Sequence, residues 1–203
     1  MVYKIGLVST NGTGKTTLAV MVESELKKRE IEAHSLREKA TQAMENGLPI
    51  NEGTTLEAQM WILHTQFAEE LKYTSKRTIP VNYEVIICDR GPDNYCYLKH
   101  SFGENKPALG MTLNHMEQFP YSQLYLLPIV NADLTPGTGA RTTTIGFREK
   151  MDQEIREFLQ QYNLSHIELP IPKDDDPLRN EWVKIVVNQT MKDLKKPERY
   201  FMT

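Results

Sequence analysis

The 203 residues are 39% hydrophobic and 25% charged, with 11 glycines and 11 prolines spread along the chain, a make-up that argues against disorder and fibrous repeats and fits one compact domain over residues 1–203. No apolar run reaches the ~18–20 residues of a bilayer span, and a net charge of −3 gives no general pull toward nucleic acid, so any anion site must be local. A cytoplasmic location is expected, because Lys4 interrupts the apolar N-terminus and a glycine-rich loop follows where a signal peptide would carry its cleavage region.

The first apolar run, Val2–Val8, reads as a strand buried on both faces. It feeds a glycine-rich loop, and a helix carrying Leu18, Val22 and Leu26 follows from Thr16. Ala33–Leu36 is a second strand, and Glu45–Gly53 looks irregular. Leu56, Met60, Leu63, Phe67 and Leu71 recur at helical spacing behind a capping box of Thr54 and Glu57. Val85–Cys88 is a third strand that runs into Asp89-Arg90, and Gly91-Pro92 opens another helix. After a fourth strand, Leu124–Leu127, comes an irregular stretch, Asn131–Ile145, of a length that is usually functional or mobile. Phe147, Met151, Ile155, Phe158 and Tyr162 mark a further amphipathic helix, and His166–Leu169 a fifth strand. The last helix is expected to begin at Asp176-Pro177 and to run through Trp182 and Val186. Such alternation predicts a parallel sheet with helices on both faces and a ligand crevice at the carboxyl ends of its strands.

Ser9-Thr10-Asn11-Gly12-Thr13-Gly14-Lys15-Thr16 fits the phosphate-loop pattern G-x-x-x-x-G-K-[ST] except that Ser9 replaces the first glycine. That departure implies that position 9 needs no left-handed backbone. Asn11, Gly12, Thr13, Gly14, Lys15, Thr16 and Thr17 would cradle the phosphates of ATP or GTP, helped by the positive end of the following helix. Lys15 would reach the β- and γ-phosphates and the Thr16 hydroxyl would bind Mg²⁺. A bland alternative, a turn with a solvated lysine, is opposed by the strand before the loop and the helix after it. Asp89, an acid ending the third apolar strand, is the best partner for Thr16 on Mg²⁺; otherwise it is a plain turn residue.

With this loop, Glu38 just after the second strand and Asp89-Arg90-Gly91-Pro92 after the third, the chain resembles the nucleoside-kinase branch of the P-loop kinases, nearest the ribosylnicotinamide-kinase and thymidylate-kinase-like ATPases. Asp133 to Arg141, followed by Phe147-Arg148-Glu149, is similar to their arginine-bearing lid. The resemblance implies a P-loop NTPase fold, with a five-stranded parallel sheet ordered 2-3-1-4-5. It also implies a nucleoside triphosphate donor and a small-molecule acceptor bearing a hydroxyl or phosphate. Glu38 falls where such kinases place an acid that takes the acceptor's proton, and Arg90 where an arginine holds the acceptor side. Arg141 and Arg148 fall in the lid, at about residues 131–147, where arginines neutralise the transferring phosphoryl. Lys15, Glu38, Arg90, Arg141 and Arg148 are thus the expected catalytic groups. Solvated surface charge is the plain alternative for Glu38, Arg141 and Arg148.

Trp61 and Phe67 suit core packing, while Tyr95 and Tyr97, just past the crevice, suit core or base stacking equally. His64, His100 and His115 share no metal spacing. Cys88 and Cys96 are expected to be reduced packing residues. A nucleoside-triphosphatase or a nucleotide-dependent switch is the alternative to a kinase. The absence of an Asp-x-x-Gly at the Asp89 strand end tells against the switch. A nucleic-acid acceptor is disfavoured, since no basic stripe interleaves with aromatics. A homodimer stands as an open option for the assembly.

Overall fold

The computed structural model describes residues 2–50, 53–75, 82–130, 146–172, 176 and 179–196. Five strands, β1 (Tyr3–Val8), β2 (Ala33–Leu36), β3 (Val85–Cys88), β4 (Gln123–Leu126) and β5 (Ile167–Glu168), form one sheet in the order β2-β3-β1-β4-β5. All four pairings are parallel. The order and the fold are those the resemblance implied. The helices are α1 (Lys15–Lys27), α2 (Lys39–Glu45), α3 (Leu56–Thr74), α4 (Asn94–Phe102), α5 (Lys106–Gln118), α6 (Phe147–Gln161) and α7 (Asn180–Asp193).

Side chains alternate across the sheet, as a period of two requires. Tyr3, Ile5, Leu7, Val85, Ile87 and Tyr125 pack under α1 and α7 with Leu18, Val22, Trp182 and Val186. Val8, Leu124 and Leu126 face the other way, onto Leu63, Phe67, Tyr95, Met151 and Phe158. Each fully buried aliphatic or aromatic side chain contributes about 1.5–3 kcal/mol, so both faces hold the strand ends rigidly beneath the crevice. Cys88 and Cys96 are free thiols within this packing. No helix among the described residues is long and apolar enough to cross a membrane.

Several boundaries differ from the sequence expectation. Thr55, not Thr54, caps α3, its side chain accepting from the Ala58 N–H at 3.3 Å. The Thr54 hydroxyl instead accepts from the Gln59 amide at 3.0 Å. Leu56, at the first position of the helix, is exposed, while Leu63 and Phe67 are buried. The last helix starts at Asn180 rather than Pro177. Asp176 still caps it from a distance, accepting from the Asn180 and Glu181 N–H groups at 2.9 and 3.0 Å. Helices α2 and α5 were not foreseen; Asn105 caps α5, with proline in its first turn.

Candidate functional site

The site lies at the carboxyl ends of β1, β2 and β3, and strand register decides who meets whom. Leu36 of β2 and Gly6 of β1 both pair with Cys88 of β3. Glu38 therefore leaves the sheet beside Asp89 and Arg90, while β1 runs two residues further and turns into the loop from Ser9.

The loop takes positive φ at Gly12 (73°) and Gly14 (94°), conformations that a side chain disfavours. Ser9 is not among the residues with positive φ, in keeping with its lack of a glycine. Its hydroxyl has a use that the pattern did not announce. It lies 2.5 Å from the Thr13 hydroxyl and accepts from Lys15 Nζ at 2.9 Å. Lys15 Nζ also donates to the Ser9 and Thr10 carbonyls at 3.0 and 2.7 Å, so the buried ammonium folds back across the loop. Burial, reinforced by the Arg90 charge, brings it down to about 8. The first α1 hydrogen bond runs from the Leu18 N–H to the Gly14 carbonyl. The N–H groups of Lys15, Thr16 and Thr17 precede it and have no intrahelical acceptor, and Thr16 and Thr17 are exposed.

Thr16 Oγ1 donates to Asp89 Oδ2 at 2.6 Å, so the two side chains expected around Mg²⁺ touch. Asp89 is buried and its Oδ1 has no partner among the described residues. Burial pushes its carboxyl up to about 6, against the Thr16 hydrogen bond and the Lys15 charge. An orphaned carboxylate oxygen beside an exposed hydroxyl suits a hard cation. Two protein oxygens are what Mg²⁺ commonly takes, leaving its other positions to phosphate and water.

Arg90 ties the β2 and β3 ends to the loop. Nε donates to Glu38 Oε1 at 2.7 Å, Nη2 to Asn11 Oδ1 at 2.6 Å and Nη1 to Asp93 Oδ2 at 3.3 Å. Its guanidinium also lies 4.2 Å from the Tyr97 ring centre, and the Tyr97 hydroxyl donates to Asn11 Oδ1 at 3.1 Å. Burial alone would lower Arg90, but Glu38, Tyr97 and Asp93 together hold it well above its ordinary value. Asp93 is committed to the turn, accepting from the Gly91 N–H at 2.8 Å. Tyr97 thus belongs to the site, while Tyr95 packs on Phe158 in the core and Phe67 stacks on His115. Trp61 is half-buried.

Arg148, the second residue of α6, is half-buried rather than solvated. Its guanidinium stands 3.8–3.9 Å from the point a Cβ on Gly12 would occupy, and Nη2 donates to the Val130 carbonyl at 3.1 Å. Arg141 and the stretch Asn131–Ile145 lie outside the described residues.

Behind the crevice sits a buried network that sequence reading missed. Glu70 accepts from Lys4 Nζ at 2.8 Å, Tyr121 at 2.6 Å and Gln66 at 2.9 Å, and pairs with His115 Nε2 at 2.9 Å. Gln66 Nε2 also donates to the Arg90 carbonyl at 3.1 Å, so the network braces the turn that carries Arg90. His115, unremarkable in sequence, is one of its members.

Known proteins share this architecture. Over 94% of its length the chain is similar to the structure of NadR protein with NAD and AMP-PNP, at a TM-score of 0.67 and 13% identity, and it covers 49% of that chain. The chain thus spans about half the length of that relative. It is also similar to deoxyadenosine kinase from M. mycoides (TM-score 0.58, 13% identity, covering 93% of this chain and 99% of that one). Thymidylate kinase from Ehrlichia chaffeensis gives a TM-score of 0.63 at 12% identity, covering 93% and 98%. None of the curated proteins matches the sequence. Residues 4–175 match the family model described as AAA domain; the chain belongs to that family and carries the fold of the P-loop kinase-like group.

Proposed function

We propose that residues 1–203 form one P-loop domain that transfers the γ-phosphoryl of ATP or GTP, with Mg²⁺, to a nucleoside, nucleotide or similar small metabolite. The observation that carries this reading is the juxtaposition at the β3 end. Thr16 and Asp89 meet at 2.6 Å beside Lys15, while the Arg90–Glu38 pair at 2.7 Å faces them from the β2 side. AMP-PNP in the NadR structure, and the nucleoside and nucleotide kinases of the same fold, support a nucleotide donor and a small acceptor.

In this reading Asn11 to Thr17 hold the triphosphate through backbone N–H groups, and Lys15 swings from the Ser9 and Thr10 carbonyls to the β,γ-bridge. Thr16 and Asp89 would hold Mg²⁺, whose charge offsets that of the phosphate oxygens. The acceptor oxygen attacks the γ-phosphorus as the bond to the β,γ-bridging oxygen breaks, and ADP or GDP departs. A hydroxyl acceptor gives its proton to Glu38, whose carboxylate Arg90 fixes. A phosphate acceptor is already anionic and needs no base. Arg148, and Arg141 from the segment before α6, add positive charge where negative charge spreads in the transition state.

The test is nucleotide turnover by the purified chain with and without a panel of nucleosides and nucleoside monophosphates. A kinase consumes ATP slowly alone and much faster with one panel member, which then appears phosphorylated. Turnover that no acceptor accelerates would instead mark a nucleoside-triphosphatase.

A further inference from the structure

One arginine in the crevice belongs to no part of the mechanism above. Arg179 immediately precedes α7 and takes left-handed backbone angles (φ 55°, ψ 43°), which a residue other than glycine, asparagine or aspartate seldom adopts. That conformation throws its side chain across to the phosphate loop. The guanidinium fills the space beside Gly14 where a side chain would stand, with Cζ 2.6 Å from the Cβ position and Nη1 nearer still. Gly14 therefore lacks a side chain for two reasons, its positive φ and this seat.

The seat is electrostatically odd. Among the described residues the Arg179 guanidinium makes no ion pair and no hydrogen bond; its ring contact is Trp182, 5.0 Å away. Burial lowers its pKa, and Asp176 offsets that only in part. It lies instead against Gly14, the residue that caps the positive end of α1, where the first-turn N–H groups have no intrahelical acceptor. A cation placed there is repelled by the helix dipole. The Arg148 guanidinium borders the same loop at Gly12, and the Thr10 hydroxyl within the loop is buried without a partner among the described residues. Two arginines from separate elements thus flank the two glycines, and the arrangement becomes favourable once a polyanion lies between them.

We infer that Arg179 is a further phosphate-binding residue, a clamp that reaches the donor's phosphate chain from the loop before α7 on the Gly14 side. The inference rests on the phosphate-loop assignment. Lys15 serves the β- and γ-phosphates, and Arg148 borders the Gly12 end. Arg179, at the start of α1, serves the phosphates that remain on the leaving nucleoside diphosphate. It therefore sets affinity for donor and product alike.

Calorimetric binding of ATP, ADP and inorganic tripolyphosphate, each with Mg²⁺, tests this on the full chain. The variants are Arg179→Met, Arg179→Lys and Arg179→Asn, the last suited to the left-handed backbone so that loss of charge is separated from strain. Arg179→Met and Arg179→Asn should weaken all three ligands by about tenfold or more, the size of one charge-assisted hydrogen bond, and Arg179→Lys should recover part of the loss. Weakened ATP and ADP with unchanged tripolyphosphate would overturn the inference in favour of a base or ribose contact; so would no change at all. Lys15→Ala is the control. If it leaves tripolyphosphate binding intact, the phosphate-loop assignment itself fails and takes this inference with it.

Discussion

Raising the pH from about 7 to about 9 titrates one ammonium at the centre of the proposed donor site. Lys15 in the ligand-free protein is brought down to about 8, first by burial and then by the Arg90 charge. A lysine whose pKa is lowered loses its charge as the pH rises through that value. Above about 8 the loop then offers a neutral amine to the triphosphate, and binding must take up a proton to restore the ion pair. One unit above the pKa about a tenth of the free protein is charged, against about nine tenths one unit below. The apparent Kd for ATP should therefore rise about tenfold between pH 7 and pH 9. On the acid side Asp89, pushed up to about 6 by burial, gains its proton as the pH falls and can no longer serve Mg²⁺. Affinity for the Mg²⁺ complex should be highest between about 6 and 8.

Calorimetry in two buffers of different ionisation enthalpy measures both consequences, since it reports Kd and the protons taken up on binding. Uptake near one proton at pH 9 and near none at pH 7 is expected. Lys15→Arg, whose guanidinium keeps its charge, should flatten the alkaline limb even where it weakens binding overall. A Kd constant from pH 7 to 9 without proton uptake would refute the assignment of Lys15 to the phosphates. The same alkaline slope in Lys15→Arg would transfer the titration to another group.

Glu38→Gln should cut turnover with a hydroxyl acceptor by about 10²–10⁴ while leaving the Kd of ATP unchanged; collapse of ATP binding in a folded variant would move Glu38 to the donor side. Glu70→Gln should cost about 3–5 kcal/mol in urea unfolding at neutral pH, because Lys4 and Glu70 are 2% and 1% exposed and the ammonium would lose its counter-charge. The network holds the Glu70 carboxyl below its usual range although burial alone would raise it. Its stabilisation is therefore present above the ordinary carboxylate pKa and lost as the pH falls through the lowered one, so the difference between wild type and variant should shrink in acid. Gly12→Ala and Gly14→Ala both strain a positive-φ backbone, but the first brings its Cβ to ordinary contact distance from the Arg148 guanidinium whereas the second collides with Arg179; the second should lower the urea midpoint further, and equal losses would mean that Arg179 moves aside freely.

What the sequence made legible was local. The strand cores, the phosphate loop and Asp89 announce themselves within a few neighbours, because apolar runs and glycine spacing are short-range consequences of backbone geometry. The Glu38–Arg90 meeting was legible only through strand order, which came from the resemblance and not from periodicity. The misplaced α3 cap has a local cause, since Thr54 and Thr55 offer the same hydroxyl and only the fold decides which N–H groups each can reach. The Glu70 network and the Arg179 seat had no such signal. Lys4 and Glu70 are 66 residues apart, Arg179 and Gly14 are 165 apart in the numbering, and nothing near any of them says that they touch. Ser9 was visible as a departure from the glycine pattern, but its grip on Lys15 and Thr13 appears only when the loop is closed.

The same distinction bears on which arginine does what. Arg90 was expected among the groups that bear on the reaction directly, yet the residue is 4% exposed and its guanidinium is engaged with Glu38, Asn11 and Asp93. A guanidinium so occupied has little left for a phosphate, and moving it would release a carboxylate into the crevice. Its strength lies in joining the β2 end, the β3 end and the phosphate loop into one rigid edge, with the Glu70 network bracing its carbonyl from below. Lysine lacks the planar fork through which Arg90 reaches Glu38 by Nε and Asn11 by Nη2. In the proposed mechanism direct neutralisation would then fall to the cations that line the loop without such commitments. Among the described residues Lys15 is held by a hydroxyl and two carbonyls, while Arg148 and Arg179 flank the glycines. In the proposed mechanism Arg90 would set the geometry in which a hydroxyl meets Glu38, and the other three would meet the charge of the phosphates.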